Sequence, residues 1–243
     1  MEQTHVSITR GDGVAVVTLD RPAKRNALTF AMRRRVAAEL DALARDDQVA
    51  CAVLTGTAPD FCAGMDVSAF GGDAANRQEI VDSSTALFAA LAAFPKPLLA
   101  AVEGRALGGG LGLVLACDIR VAGRSAAFGV PEVRFGAAGG FAALRAAVGD
   151  GPARELALTA RTFDAEEALR FGLLAEVVAA GEALARARAI AAALVALPRR
   201  GLRLQTEIIR ATAGLPLAEG LAYEAGVFRR EVLTREPKPP TRG

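Results

Sequence analysis

A chain of 243 residues, 52% hydrophobic and 23% charged, is long and apolar enough to bury a substantial core in one domain plus an appendage, which excludes disorder except at its ends. Lys and Arg total 29 against 27 Asp and Glu, with one Tyr, no Trp and no long run of one sign, so nucleic acid is not an expected partner. No apolar stretch reaches the roughly 20 residues of a bilayer span, and the start MEQTHVSITR lacks the basic-then-apolar order of a signal peptide, so a cytoplasmic location and no membrane partner are expected.

The opening alternates through His5, Val6, Ser7, Ile8 and Thr9, turns at Gly11-Asp12-Gly13 and resumes over residues 14–19, which predicts a hairpin. Pro22 ends that pattern. Thr29 is placed to cap a helix running to Arg45, with Leu40 and Leu43 on its apolar face and its arginines outside. Residues 50–55 predict a fully apolar strand closed by Gly56. The stretch Phe70-Gly71-Gly72-Asp73 reads as mobile, and residues 78–94 as a helix ended by Pro95-Lys96-Pro97. A crossover of this length favours a parallel return, through a strand at 98–102, a helix at 110–117 and a strand at 119–122. Strand and helix keep alternating, so the expected fold class is α/β.

From Gly151 onward helices alone are expected (151–160, 165–171, 182–197, 202–212, 216–233), apart from a short strand at 174–178. Many outward positions there are Ala or Leu, which suggests a face buried against another subunit. The division expected is a core domain at 1–180 and a C-terminal helical oligomerisation region at 181–243, whose proline-bearing tail from Arg235 is extended or disordered. Cys51, Cys62 and Cys117 lack the paired spacing of a metal or disulfide framework and read as small buried hydrophobes. His5, the one histidine, lies far from every motif and reads as a surface residue.

Two loops carry the chemistry. In Ala101 through Val121, AVEGRALGGGLGLVLACDIRV, an apolar strand runs into Gly108-Gly109-Gly110, which open an apolar helix and aim bare backbone N–H groups at an anion. A second such loop, Phe61-Cys62-Ala63-Gly64-Met65-Asp66, follows an earlier strand. Negative charge developing on a carbonyl oxygen needs two fixed donors, each worth about 2.7–4 kcal/mol, and glycine-rich loops supply them without obstructing side chains. A dinucleotide site is disfavoured, since Gly108 and Gly110 are followed by Leu113 where the third glycine belongs. Each piece has a plainer reading by itself: a tight turn for the triplet, a helix cap for Asp66, ordinary core for Met65.

Jointly, these loops resemble the crotonase (enoyl-CoA hydratase/isomerase) superfamily, and the resemblance covers most of the chain. It runs from Leu19-Asp20-Arg21-Pro22 and Asn26-Ala27-Leu28 through Glu103-Gly104 and Ala116-Cys117-Asp118-Ile119 to Phe128-Gly129-Val130-Pro131-Glu132. It implies a spiral of ββα units with a C-terminal helical region, and an enzyme acting on acyl-CoA thioesters through an enolate. By the same resemblance the backbone N–H groups of Met65 and Gly109 are the oxyanion donors, Ala63, Gly64 and Asp66 shape the CoA pocket, and the assembly is a homotrimer or a hexamer made of two trimers. It implies no metal and no separate cofactor, coenzyme A being part of the substrate. Arg25, with Lys24 beside it, is the candidate for the CoA phosphates; relatives often place a lysine directly after the proline, where this chain has Ala23.

Glu132 follows Pro131 in a loop among Phe128, Val130, Val133 and Phe135, surroundings that raise a carboxyl pKa and suit a group that takes and returns a proton. The matching family position holds a catalytic glutamate. Hydratases of the family place another glutamate two residues after the glycine triplet, where this chain has Gly112, and Ala137-Ala138-Gly139-Gly140 lacks the acid some relatives keep. A single acid suits double-bond isomerisation better than addition of water. The alternatives are hydration with a substitute acid such as Asp73, Glu79 or Asp82, a trimer that binds acyl-CoA without chemistry, and a purely structural α/β protein. The family's helical stretch before the final prolines is shortened here, and Phe70, Leu87, Phe88 and Phe141 suit either a pocket or a core.

Overall fold

The computed structural model describes residues 4–68 and 72–234. β1 (Val6–Gly11) and β2 (Val14–Leu19) form the expected antiparallel hairpin, with Val6 opposite Leu19 and Gly11 opposite Val14. α1 (Phe30–Arg45) starts where Thr29 Oγ1 accepts the Met32 N–H at 3.2 Å. β3 (Cys51–Gly56), α2 (Ala74–Ala93) and β4 (Leu98–Val102) follow, then β5 (Arg105–Leu107), α3 (Gly109–Leu115), β6 (Ile119–Gly123) and β7 (Ala127–Gly129). After a 3-10 turn at Glu132–Phe135 come α4 (Phe141–Val148), α5 (Asp150–Thr159), β8 (Thr162–Asp164), α6 (Ala165–Arg170), β9 (Glu176–Val178), α7 (Ala183–Val195), α8 (Arg199–Thr212) and α9 (Leu217–Thr234).

Six strands form one sheet in the order β1-β2-β3-β4-β6-β9, parallel except for the β1 edge. β3 and β4 are continuous apolar runs because both of their faces are covered. The period of two is visible in the packing. Ala15, Val17, Leu19, Ala52, Leu54, Leu98, Ala100 and Val102 enter the main core, which includes Leu40 of α1 and Leu87 of α2. Val16, Cys51, Val53, Leu99 and Ala101 face the other way, against Ala183, Ala187 and Ala191 of α7. The four-residue spacing of those alanines lets α7 lie close on the sheet, so a helix beyond residue 180 completes the core, and the helices clear of it start at Arg199.

Several elements depart from the expectations. β5, β7 and β8 form a second sheet in that order; three residues each, they are too short to show a period in sequence, and β8 corrects the expectation of helices alone after Gly151. α4 was not expected. α2 starts at Ala74, because Asp73 caps it by accepting the Asn76 N–H at 2.9 Å; Phe70 and Gly71 of the stretch read as mobile, and the tail from Arg235, lie outside the described residues. The arginines of α1 divide: Arg34 and Arg35 are exposed, whereas Arg33 is fully buried. Among the described residues no helix is long and apolar enough to cross a membrane. The α8–α9 pair leaves large apolar side chains in solvent, with Leu217, Phe228 and Leu233 each more than two-thirds exposed.

Candidate active site

The site is an edge where several chain segments leave in step. β5 and β7 pair in parallel with Leu107 opposite Gly129, so the glycine triplet and the Val130-Pro131-Glu132 segment emerge side by side, and the Gly108 N–H donates to the Gly129 carbonyl at 2.9 Å. On the other flank of β5 the Cys62 N–H donates to the Arg105 carbonyl at 2.9 Å and the Leu107 N–H to the Cys62 carbonyl at 3.0 Å, which aligns the second loop with the first. Leu28 then grips that loop: its N–H donates to the Gly64 carbonyl at 2.8 Å and its carbonyl accepts the Asp66 N–H at 3.1 Å. A parallel bridge of this kind turns the amide of the intervening Met65 away from Leu28.

Gly109 lies close to that amide. A methyl group built on Gly109 would stand 3.7 Å from the Met65 nitrogen, and one built on Gly64 3.6 Å from the Gly109 nitrogen. Neither amide has a backbone acceptor among the described residues. The glycines are steric necessities here. A Cβ on Gly110 would lie 2.2 Å from the Cys62 carbonyl oxygen, and Gly108, at φ +52°, would place one 2.9 Å from Glu132 Oε1.

Glu132 opens the 3-10 turn directly after Pro131 rather than lying in an irregular loop. Burial pushes its carboxyl above the ordinary carboxylate range, offset in part by its own backbone amide, and its Oε2 is buried with no hydrogen-bond partner among the described residues. It borders a cavity of about 760 Å³ that Met65, Gly108 and Gly109 also line, with Ile80, Phe88, Leu111 and Leu115 supplying apolar wall. A smaller space of about 270 Å³ on the outer side is bordered by Ala63, Gly64, Met65, Gly109 and Glu132. The structure thus brings Glu132, Met65, Gly109, Ala63 and Gly64 together.

Asp66 faces elsewhere. It pairs with Arg21 at 2.6 Å and accepts from the Ser68 hydroxyl at 2.7 Å; these bonds hold its carboxyl below the usual range against the opposing effect of burial, which is the largest single influence. The Arg25 carbonyl accepts the Ala63 N–H at 2.9 Å, which sets this loop beside the donors, while the side chains of Lys24 and Arg25 are exposed and line neither space. Asn26 organises the region: fully buried, its amide donates to the Thr57 and Asp60 carbonyls at 2.9 and 2.6 Å and accepts the Arg21 N–H at 2.8 Å.

The substitute acids stay outside the cavity. Asp73 caps α2, Glu79 pairs with Arg34 and Asp82 accepts from Gln78. Asp118 does reach the wall, but its Oδ2 accepts the Leu98 N–H at 2.7 Å and pairs with Arg210 at 3.4 Å. Gly112 also lines it, and a Cβ there would meet the Phe88 ring at 3.0 Å. Leu87 is core, Phe88 is cavity wall, Phe141 borders a neighbouring space, and Phe70 lies outside the described residues. The cysteines are free and buried, burial raising the Cys51 and Cys62 thiols to about 11 and about 12. His5 directly precedes β1, its Nδ1 3.2 Å from the Asp20 carbonyl, away from the cavity.

Sequence reasoning missed Arg33 and Arg210 and left Phe88 open between pocket and core. Only Arg33 left a signal, three and four residues before the buried Val36 and Ala37 and seven before Leu40.

The fold is that of crotonase-superfamily enzymes. The chain belongs to the enoyl-CoA hydratase/isomerase family, whose model matches residues 9–238. A probable enoyl-CoA hydratase of Mycobacterium tuberculosis is 34% identical over 234 residues, covering 95% of this chain and 91% of that protein. The 2,3-dehydroadipyl-CoA hydratase of Escherichia coli is 35% identical over 91% of this chain and 88% of its own. Among solved structures, an enoyl-CoA hydratase from Bacillus anthracis superposes with a TM-score of 0.90 at 29% identity, over 95% of this chain and 92% of that one.

Proposed function

We propose that the chain isomerises enoyl-CoA thioesters, moving a double bond between the 3,4 and 2,3 positions. The thioester oxygen sits between the Met65 and Gly109 amides. Glu132, ionised, takes a proton from C2; the C–H electron pair moves into a C1–C2 double bond and the charge onto the oxygen, where the two donors stabilise it. As the enolate collapses, C2 and C3 become double-bonded, and the former C3–C4 π pair takes the proton from Glu132 at C4. The base is restored, and coenzyme A enters and leaves as part of the substrate, so these steps call on no separate cofactor.

The observation that carries this reading is the carboxylate inventory of the cavity. Of the acids lining it among the described residues, Asp118 is engaged through Oδ2 and Glu132 alone has a buried oxygen without a partner. Orienting a water and exchanging its protons takes a second acid, and Gly112 supplies none. Hydration is the second reading, favoured by the relatives named as hydratases. The apolar side chains left exposed on α9 support assembly into a trimer or a pair of trimers.

The test is to incubate the protein with crotonyl-CoA and with a 3-enoyl-CoA, following absorbance and product mass. A double-bond shift without mass change is expected. Gain of water by crotonyl-CoA assigns the second reading, and measurable CoA-thioester affinity without either change leaves a binding protein.

A further inference from the structure

Arg33 is a full charge at 0% exposure, and no step above uses it. It lies in the first turn of α1 and reaches α2, where Nη1 donates to the Ser83 hydroxyl at 2.9 Å, the Ser84 hydroxyl at 3.1 Å and the Ile80 carbonyl at 3.3 Å. Every one of these acceptors is neutral. Nη2 donates to the Leu28 carbonyl at 3.3 Å, the same oxygen that accepts the Asp66 N–H beside Met65. The Ser84 hydroxyl, which donates to the Ile80 carbonyl at 2.5 Å, stands 3.7 Å from Met65 Sδ, so the guanidinium and its partners pack behind the Met65 segment.

The charge has no counter-ion in contact. Glu79 and Asp66 act on it only at a distance, and each is already paired, Glu79 with Arg34 at 2.8 Å and Asp66 with Arg21 at 2.6 Å. Taking a cation out of water is among the costliest features a fold can carry; the neutral acceptors and the Phe30 ring, whose centroid lies 5.1 Å from the guanidinium carbon, offset part of that cost, and a neutral side chain of similar volume would avoid it. A buried cation whose neighbours are neutral, set directly behind one oxyanion donor, has its best compensation in an anion that forms only during turnover.

We infer that Arg33 is a positioning residue whose positive charge, acting through the Met65 segment without touching substrate, favours the enolate over the neutral thioester. This rests on the acyl-CoA reading above, and it holds for isomerase and hydratase alike. At low effective dielectric such a charge acts well beyond contact distance.

The test uses acetoacetyl-CoA, which ionises to an enolate visible in the ultraviolet, and butyryl-CoA, which does not. In Arg33→Met the apparent pKa of bound acetoacetyl-CoA should rise by about one unit, a tenfold fall in the enolate-to-keto ratio at fixed pH. Butyryl-CoA affinity should change by less than about twofold, since a neutral thioester gains little from the charge. Arg33→Lys, which keeps the charge, should ionise the ligand as the unaltered protein does, and it carries the test by itself where Arg33→Met does not fold. Unchanged ionisation in folded Arg33→Met, or loss of ionisation in Arg33→Lys, overturns the inference. Equal loss of affinity for both thioesters in Arg33→Met overturns it too, as the mark of a packing role. Failure of the unaltered protein to bind either thioester would overturn the acyl-CoA reading itself.

Discussion

The two amides that lie close together at this site are held by opposite means. The Gly109 side is held by its glycines: Gly110 rides on the Cys62 carbonyl, where a single methyl group is too much, and Gly108 holds φ +52°, where any side chain is strained. The Met65 side is held by buried polarity, through Asn26 with its three hydrogen bonds, Arg33 and the Arg21–Asp66 pair. An added atom disturbs one half and a removed partner the other, so the two loops are held by two independent kinds of constraint.

Glu132→Gln leaves both halves standing and removes only the proton carrier. Its turnover should fall about a hundredfold to ten-thousandfold with acyl-CoA affinity retained, as read by steady-state kinetics beside binding. The same variant should raise the melting temperature at neutral pH. The folded carboxyl titrates above its unfolded value, so the penalty for ionising it is absent below the unfolded pKa and develops as pH rises through the folded one. The stability gap between Gln and Glu should therefore close in acid.

Gly110→Ala breaks the steric half. Its Cβ would stand 2.2 Å from the Cys62 oxygen, and denaturant unfolding should show a loss of about 3 kcal/mol or more. Asn26→Ala breaks the polar half, stranding two carbonyls and an amide, at about 2–3 kcal/mol by the same measurement. The smallest effect is expected of Gly112→Glu, because the Phe88 ring, 3.0 Å from where its Cβ would stand, must give way to the larger side chain; hydration of crotonyl-CoA should stay within about twofold of the unaltered protein and rise only when Phe88→Ala is added.

The steric half was legible in the sequence, since a glycine triplet after an apolar strand has few uses, and Gly64 and Met65 sit in an equally distinctive loop. Glu132 was legible through the family motif from Phe128 to Glu132 more than through its apolar neighbours, of which Val133 and Phe135 are exposed. The polar half was harder to see. Asn26 showed only as part of a motif, and Arg33, in a run of three arginines, was placed outside with its neighbours although its spacing from Val36 and Leu40 sets it on the inner face. Long periodic elements such as α1, β3 and β4 stood out, whereas β5, β7 and β8, which aim the site, are too short for a pattern and are defined by their register with one another.

Isotope exchange at the acyl carbons tests the central claim most directly. A 3-enoyl-CoA incubated in deuterium oxide should acquire deuterium at C2 and C4 in the presence of the unaltered protein, without gain of water, and acquire none with Glu132→Gln. Exchange at the unaltered rate in Glu132→Gln, or a product heavier by one water, would contradict a lone carboxylate working against two converging amides.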